Sequence, residues 1–227
     1  MANTGRGAMS GSFPNEKGAI DSLARGWGPL LEQWLRIVGH NAWRGSADCS
    51  WWYGERASVS QLAGAAWKLP GGWALQEYAG TRGDEAHGRI DLAVEADNGL
   101  RSAIEAKQIW PGLSRRGFDT EDLHRDVNAA LLSAAAQLVR DGAPWIAEHD
   151  DYDLVSAVFV VPRVSPNEPE RPARIATLLE AISTVPGTVA AWSFPRWAHD
   201  VVSQITGDLY PGVALVARCV RPRPSDL

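Results

Sequence analysis

Three side chains able to take part in chemistry lie in two short, mainly apolar segments of the chain. Asp91 belongs to residues 89–95, while Glu105 and Lys107 belong to residues 100–109. Alternate side chains of an extended strand point to one face, so Glu105 and Lys107 should share a face. Burying a carboxylate costs free energy unless a cation compensates its charge. Asp91 and Glu105 could therefore hold a divalent ion beside Lys107, an arrangement suited to phosphodiester hydrolysis.

The rarity of lysine in this chain supports a chemical role for Lys107. Only three of the 22 basic residues are lysines, and the others are arginines. A lysine ammonium is a compact charge with a tunable pKa, whereas an arginine guanidinium is a planar fork. The plain alternative is a Glu/Lys pair on an exposed edge hairpin, which would be an ordinary solvated face.

The composition indicates one globular domain of ordinary polarity. Hydrophobic residues make up 45% of the 227 positions and charged residues 22%. The net charge of -5 argues against a broadly basic surface for nucleic acid, although a local basic cleft is compatible with it. Its two cysteines form no CxxC pair, and no signal peptide or membrane segment is recognisable. We therefore expect a cytoplasmic protein that does not bind membranes.

The order of elements predicts an α/β sandwich with a central mixed β-sheet flanked by helices. We expect a flexible N-terminus over residues 1–14 and one domain over residues 15–227, with a core at about 50–164. Either Asp119 or Thr120 is expected to cap the third helix. The predicted helices cover residues 15–38 (with a break at 26–29), 50–68, 120–141 and 172–185, and the predicted strands cover residues 73–78, 89–95, 100–109, 154–161, 188–194 and 213–220, with a loop at 79–88.

An acidic residue on one strand and Glu-x-Lys on the next resemble the signature of the PD-(D/E)XK nuclease superfamily. This superfamily includes restriction endonucleases, junction resolvases and recombination exonucleases. Asp91 lies fourteen positions before Glu105, and Ile90 stands where the family name has proline. The resemblance in element order covers about residues 50–164 and implies a restriction-endonuclease-like sandwich.

This resemblance also implies roles for individual residues. Asp91 and Glu105 would bind Mg²⁺, for which Mn²⁺ can substitute. Lys107 would orient and help deprotonate the attacking water, and would offset phosphate charge. Glu55 resembles the additional acidic residue that many members place on the helix before the first strand. Gln108 follows the lysine, as in some exonuclease-like members, although a regular strand would point it to the opposite face.

We therefore predict a Mg²⁺-dependent nuclease whose partner is nucleic acid, DNA before RNA. The resemblance implies a function in restriction, defence or repair, and a homodimer that cuts two strands. One alternative is a non-catalytic module on the same scaffold that binds a protein or a nucleic acid, which the acidic charge and the 11 tryptophans favour. Another alternative is a secreted nuclease toxin.

Overall fold

The computed structural model describes residues 9–14, 19–41, 48–82, 85–114, 119–141 and 151–221. Within these ranges, four α-helices accompany seven β-strands. The helices are α1 (Ala19–Asn41), α2 (Glu55–Ala66), α3 (Thr120–Asp141) and α4 (Arg171–Ser183). The strands are β1 (Met9–Pro14), β2 (Trp73–Arg82), β3 (Glu85–Glu95), β4 (Arg101–Ile109), β5 (Asp153–Val160), β6 (Val189–Phe194) and β7 (Val213–Arg221).

All seven strands form one mixed sheet in the order β1-β6-β7-β5-β4-β3-β2. The neighbours β4 and β5 are parallel, and every other neighbouring pair in this sheet is antiparallel. Because α3 separates β4 from β5 along the chain, it supplies the crossover that a parallel pair requires. The predicted α/β architecture with a mixed sheet flanked by helices is therefore confirmed.

Apolar side chains cover both faces of the sheet. On one face, Trp34 of α1 packs against Phe159 of β5, with ring centroids 6.4 Å apart. On the other face, Leu131 of α3 and Val158 of β5 belong to a second buried cluster. All eight residues of β5 are buried, which is typical of a strand covered on both sides.

The first helix differs from its prediction, because α1 continues through Pro29 without the expected break. A proline inside a helix costs about 3 kcal/mol. Burial offsets this cost, since Trp27 and Leu30 on either side of Pro29 are fully buried. The indole of Trp27 also donates a 3.1 Å hydrogen bond to Ser102 Oγ on β4. Tertiary contacts thus hold α1 together where local propensity favours an interruption.

The second predicted helix is divided into two parts. Residues Ser50–Tyr53 form a 3₁₀-helix, and α2 begins only at Glu55. Gly54 separates them with a φ of 94°, a conformation that glycine adopts without the steric penalty of a side chain.

The prediction of a loop at residues 79–88 is also wrong for the part of this segment that the structure describes. The strands β2 and β3 continue across most of it, with Ala79 paired to Arg89 and Arg82 paired to Glu85. Cross-strand hydrogen bonds maintain the hairpin here, although the Gly- and Asp-rich composition is typical of a loop.

At the N-terminus, Met9–Pro14 form the edge strand β1, paired antiparallel with β6. The flexible N-terminus expected over residues 1–14 therefore includes a segment tied to the sheet, and residues 1–8 lie outside the described ranges. The sequence of β1 contains Gly and Ser and lacks the apolar alternation that is typical of a strand, so only the backbone pairing identifies β1 as one. No helix in the described part of the chain combines the length and the apolarity needed to cross a membrane.

Candidate active site

The predicted acidic residues meet where the pairing of β3 with β4 changes. Regular pairing runs from Glu95 opposite Arg101 to Leu92 opposite Ile104. One residue further along β3, the Asp91 carboxylate accepts a 2.8 Å hydrogen bond from the backbone N–H of Ala106. A side chain therefore takes the position of a backbone acceptor where the regular pairing of the two strands ends.

Glu105 and Lys107 lie on the face of β4 that α3 covers, as their spacing predicts. The ammonium Nζ of Lys107 is 3.3 Å from Glu105 Oε1. It also donates a 2.8 Å hydrogen bond to Gln137 Oε1, a residue of α3. Two contacts thus hold the lysine in place, one from its own strand and one from the covering helix. No short sequence motif indicates Gln137, which reaches the site only through the packing of α3.

The environment of Glu105 is costly for a carboxylate. Its side chain is fully buried, and its Oε2 has no hydrogen-bond partner among the described residues. Burial, together with the nearby Asp91 charge, raises the pKa of Glu105 to about 7, although the Lys107 charge acts in the opposite direction. A second cation beside Lys107 would compensate this pair of acidic groups.

Glu55 lies next to the same group of charges, at the first position of α2. Burial raises its pKa, whereas the Lys107 charge and a hydrogen bond from the backbone N–H of Gln108 lower it, and the Asp91 charge raises it. Glu55 and Asp91 also line a pocket of about 170 Å³ between α2 and the β2–β3 hairpin. The carboxylate predicted on the helix before the first strand is therefore electrostatically coupled to the paired strands.

Glu77 of β2 lines this pocket as well. Its φ of 49° lies in the left-handed region, which is uncommon for a residue with a side chain. The carboxylate forms a 3.1 Å ion pair with Arg56 of α2. This pair joins the edge strand to the helix that carries Glu55.

Gln108 points away from the Glu105–Lys107 face. Its Nε2 donates a 3.0 Å hydrogen bond to the carbonyl of Trp51, and its Oε1 accepts a 2.9 Å hydrogen bond from Ser58 Oγ. These contacts attach β4 to the 3₁₀-helix and to α2. Gln108 is thus a positioning residue for the segment that carries Glu55.

The oxygen atoms near Asp91 fit a hard divalent cation. Glu105 Oε2 is buried and receives no hydrogen bond from a donor among the described residues, and the Asp91 carboxylate lies within hydrogen-bonding reach of the Glu105 carboxyl group. The amide and the carbonyl of a strand residue point to the same side, so the Ala106 carbonyl also faces β3. Mg²⁺ commonly takes one or two carboxylates and completes its shell with water. Across the described ranges, no group of three or more His, Cys, Asp or Glu side chains is placed to hold a metal, so the protein would contribute two carboxylates.

Comparison with protein-family models, with curated proteins and with solved structures finds no match for this chain. Membership of the PD-(D/E)XK superfamily therefore stays a prediction. The side chains around Asp91 and Glu105 provide the physical basis for a function.

Proposed function

We propose that this chain is a Mg²⁺-dependent nuclease of the PD-(D/E)XK type, with a restriction-endonuclease-like fold. One observation carries the proposal. Asp91 and Glu105 come together from neighbouring strands beside Lys107, and a buried oxygen of Glu105 lacks a hydrogen-bond partner among the described residues. Burying Glu105 beside the partly buried Asp91 carboxylate, with one ammonium for the two acidic groups, is unfavourable unless a cation joins them.

The chemistry follows from the positions of these groups. Asp91 and Glu105 would hold the ion, Mg²⁺ or Mn²⁺, through carboxylate oxygens. The bound ion would polarise a phosphodiester and stabilise the charge that develops during hydrolysis. Lys107, held between Glu105 and Gln137, is preorganised to orient the attacking water and to offset phosphate charge.

Glu55 would contribute from the pocket side of the site. Its carboxylate accepts a hydrogen bond from the backbone of Gln108, directly after the lysine, and so couples α2 to the end of β4. We further propose that the substrate is DNA, cut in the cytoplasm during restriction, defence or repair. A homodimer would bring two such sites to the two strands of a duplex.

The second candidate function is that of a non-catalytic module binding a protein or a nucleic acid. Two observations favour it. The net charge is -5, and the described residues offer two closely placed carboxylates rather than a cluster of three. Such a module would bind its partner with or without Mg²⁺ and would cleave nothing.

Cleavage assays on purified protein test the proposal directly. With Mg²⁺ present, plasmid and labelled oligonucleotide DNA should be cut, and Asp91→Asn, Glu105→Gln and Lys107→Met should each lower the rate at least about 100-fold, because each removes a charge that acts on the transition state. Lys68→Met and Glu121→Gln are matched controls, since Lys68 and Glu121 are exposed, and both should cut like the wild type.

Mn²⁺ titration calorimetry separates the two candidates. A nuclease should bind Mn²⁺ in a manner that requires both Asp91 and Glu105. Equal cutting by the wild type and all the variants would refute the proposal of a nuclease. So would the absence of cutting by the wild type on single-stranded and double-stranded DNA and RNA. Partner binding without Asp91-dependent metal binding would support the module.

A further inference from the structure

The outward face of α3 carries a row of exposed apolar side chains. Leu132 and Val139 are 64% and 53% exposed, and Ala129 and Ala136 are exposed as well. These four residues follow one another at intervals of three, four and three positions, so they form one stripe along the helix. We call them the outer stripe. A single exposed leucine is ordinary on a protein surface, whereas an aligned apolar row is typical of a docking surface.

The spacing of the outer stripe is that of the seam between two packed helices, where apolar residues recur at alternating intervals of three and four. In such a seam, small side chains let the helix axes approach, and large side chains fill the space between them. The outer stripe alternates alanine with leucine or valine. The surface that fits it is therefore a helix that presents a small side chain opposite each large one.

A second copy of α3 running in the opposite direction has the required alternation. Antiparallel docking about a two-fold axis places Leu132 opposite the partner's Ala136 and Val139 opposite the partner's Ala129. Symmetry repeats both contacts, so every layer of the seam pairs a large side chain with a small one in a single register.

The charges beside the outer stripe agree with this register. Asp126 and Arg140 are exposed on one flank of the stripe, seven residues before and after Ser133. Antiparallel docking brings Ser133 beside the two-fold axis, so Asp126 faces the partner's Arg140 and two ion pairs flank the seam. Arg125, which is also near the start of the stripe, is already paired with Asp122 of its own helix.

Parallel docking of two copies lacks both kinds of complementarity. It would place Leu132 opposite the partner's Leu132, and it would leave alanine opposite alanine in the next layer. It would also bring Glu121 close to the partner's Asp126, and like charges that face each other disfavour a complex. The side chains of α3 therefore favour the antiparallel arrangement.

We propose that the outer stripe is an interaction surface for a second copy of this chain, docked antiparallel through α3 with Asp126 facing the partner's Arg140. A single helix pair buries little surface compared with the roughly 1,200–2,000 Å² of a stable interface. The dimer is therefore weak and forms at micromolar protein concentrations. This inference gives a surface to the homodimer of the proposed function, and only its use in cutting two DNA strands rests on that function.

Sedimentation velocity over a series of protein concentrations, without metal or nucleic acid, measures the association. The wild type should pass from monomer to dimer as its concentration rises, whereas Leu132→Arg should stay monomeric because it places a charge in the seam. Ile205→Arg is the matched control, since Ile205 is 96% exposed between β6 and β7, and it should associate like the wild type. In dilute solution, where the monomer predominates, Leu132→Arg should keep the wild-type melting temperature because Leu132 is exposed.

Charge reversal tests the direction of docking. Asp126→Arg and Arg140→Asp should each weaken association about tenfold, since each turns two attractions across the two-fold axis into two repulsions. The variant with both reversals should recover most of the wild-type affinity, because it exchanges the two charges within each pair. Circular dichroism of the dilute proteins checks that all three variants keep their helices.

A wild type that is monomeric at every concentration, or a dimer that Leu132→Arg leaves intact, would overturn the inference. So would a doubly reversed variant that associates no better than the single reversals. A dimer with the expected properties in a protein that cuts no nucleic acid would uphold the inference and refute the nuclease. Mg²⁺-dependent cleavage by a protein that stays monomeric would do the reverse.

Discussion

Glu105 is the most deeply buried of the residues in the site. Its side chain is fully buried, one oxygen contacts Lys107, and the other has no hydrogen-bond partner in the described part of the chain. The charged groups that face it are Asp91 and Lys107. Without a bound ion, this carboxyl binds its proton more tightly in the folded protein than in the unfolded chain.

The pH dependence of stability should reveal this carboxyl. Burial and the Asp91 charge raise the Glu105 pKa from 4.5 to about 7 against the opposing Lys107 charge. The contribution of this carboxyl to the free energy of unfolding is therefore fully present below about pH 4.5 and is lost as pH rises through 7. In EDTA, Glu105→Gln should therefore gain melting temperature relative to the wild type between pH 5 and 8. Thermal unfolding followed by circular dichroism measures the difference.

Mg²⁺ provides the matching control for this measurement. At pH 8 it should raise the melting temperature of the wild type but not that of Glu105→Gln, since a ligand stabilises only the state that binds it. A constant difference between the two proteins from pH 5 to 8 would contradict the buried placement of Glu105.

Sequence patterns reveal some of the residues in the site but not others. Asp91, Glu105 and Lys107 could be predicted, because they lie on adjoining strands of one meander. Gln137 could not, because it is thirty residues from Lys107 along the chain and meets it only through the docking of α3. The roles predicted for Asp91, Glu105, Lys107 and Glu55 stay predictions until cleavage is measured.

At the scale of elements, α3 carries one side of the site and part of the core. Its apolar period predicts which residues are buried, and the Asp119 side chain accepts a 2.7 Å hydrogen bond from the backbone N–H of Asp122 at its start. Of the two caps expected, Asp119 is therefore the one observed. A helix docked by this buried face also fixes where Gln137 meets Lys107.

Two neighbouring leucines test the orientation of α3. Leu131 is 1% exposed and Leu132 is 64% exposed. Leu131→Ala should lower the free energy of unfolding by about 2–5 kcal/mol through lost burial and a cavity. Leu132→Ala should change it by no more than about 0.5 kcal/mol, as for most surface positions. Urea denaturation gives both values, and similar losses in the two variants would mean that α3 is rotated from the position described.

Other elements were harder to predict because contacts with other elements override local propensity. The helix α1 passes through Pro29 since its flanking residues are buried against the sheet. The β2–β3 hairpin extends across a Gly- and Asp-rich segment because its two strands hydrogen-bond to each other. For α1 the stabilising partner lies on β4, far along the chain, whereas the hairpin's partner strand is adjacent in sequence and only the composition of the segment argued against the pairing.

At the scale of the whole molecule, the sheet joins segments from both ends of the chain. Its edge strand β1 pairs with β6, and β7 lies between β6 and β5. Cys49, fully enclosed in the cluster beneath α1 and α2, is a reporter of this global packing. Burial, together with the Asp48 charge, raises the pKa of its thiol above the usual range.

Thiol chemistry can therefore measure global unfolding. In a Cys219→Ser variant, Cys49 should resist an aromatic disulfide reagent at pH 8, because the attacking species is the thiolate and both its formation and its access are suppressed. The thiol should react fully once urea unfolds the chain. The measurement is the rate of chromophore release against urea concentration. A rapid reaction without urea would show that this part of the core is open.

The chain sequence alone determined the features that depend on near neighbours. The spacing of apolar residues and the positions of turn-forming residues indicated most helices and strands. The hairpin between residues 95 and 101 brought Asp91 close to Glu105. Only the tertiary structure decided how deeply Glu105 is buried, that Gln137 holds Lys107, and that Tyr210 joins Trp52 to Trp110. Those features arise from residues far apart along the chain, and their energies depend on which surfaces exclude water once the sheet and helices have packed.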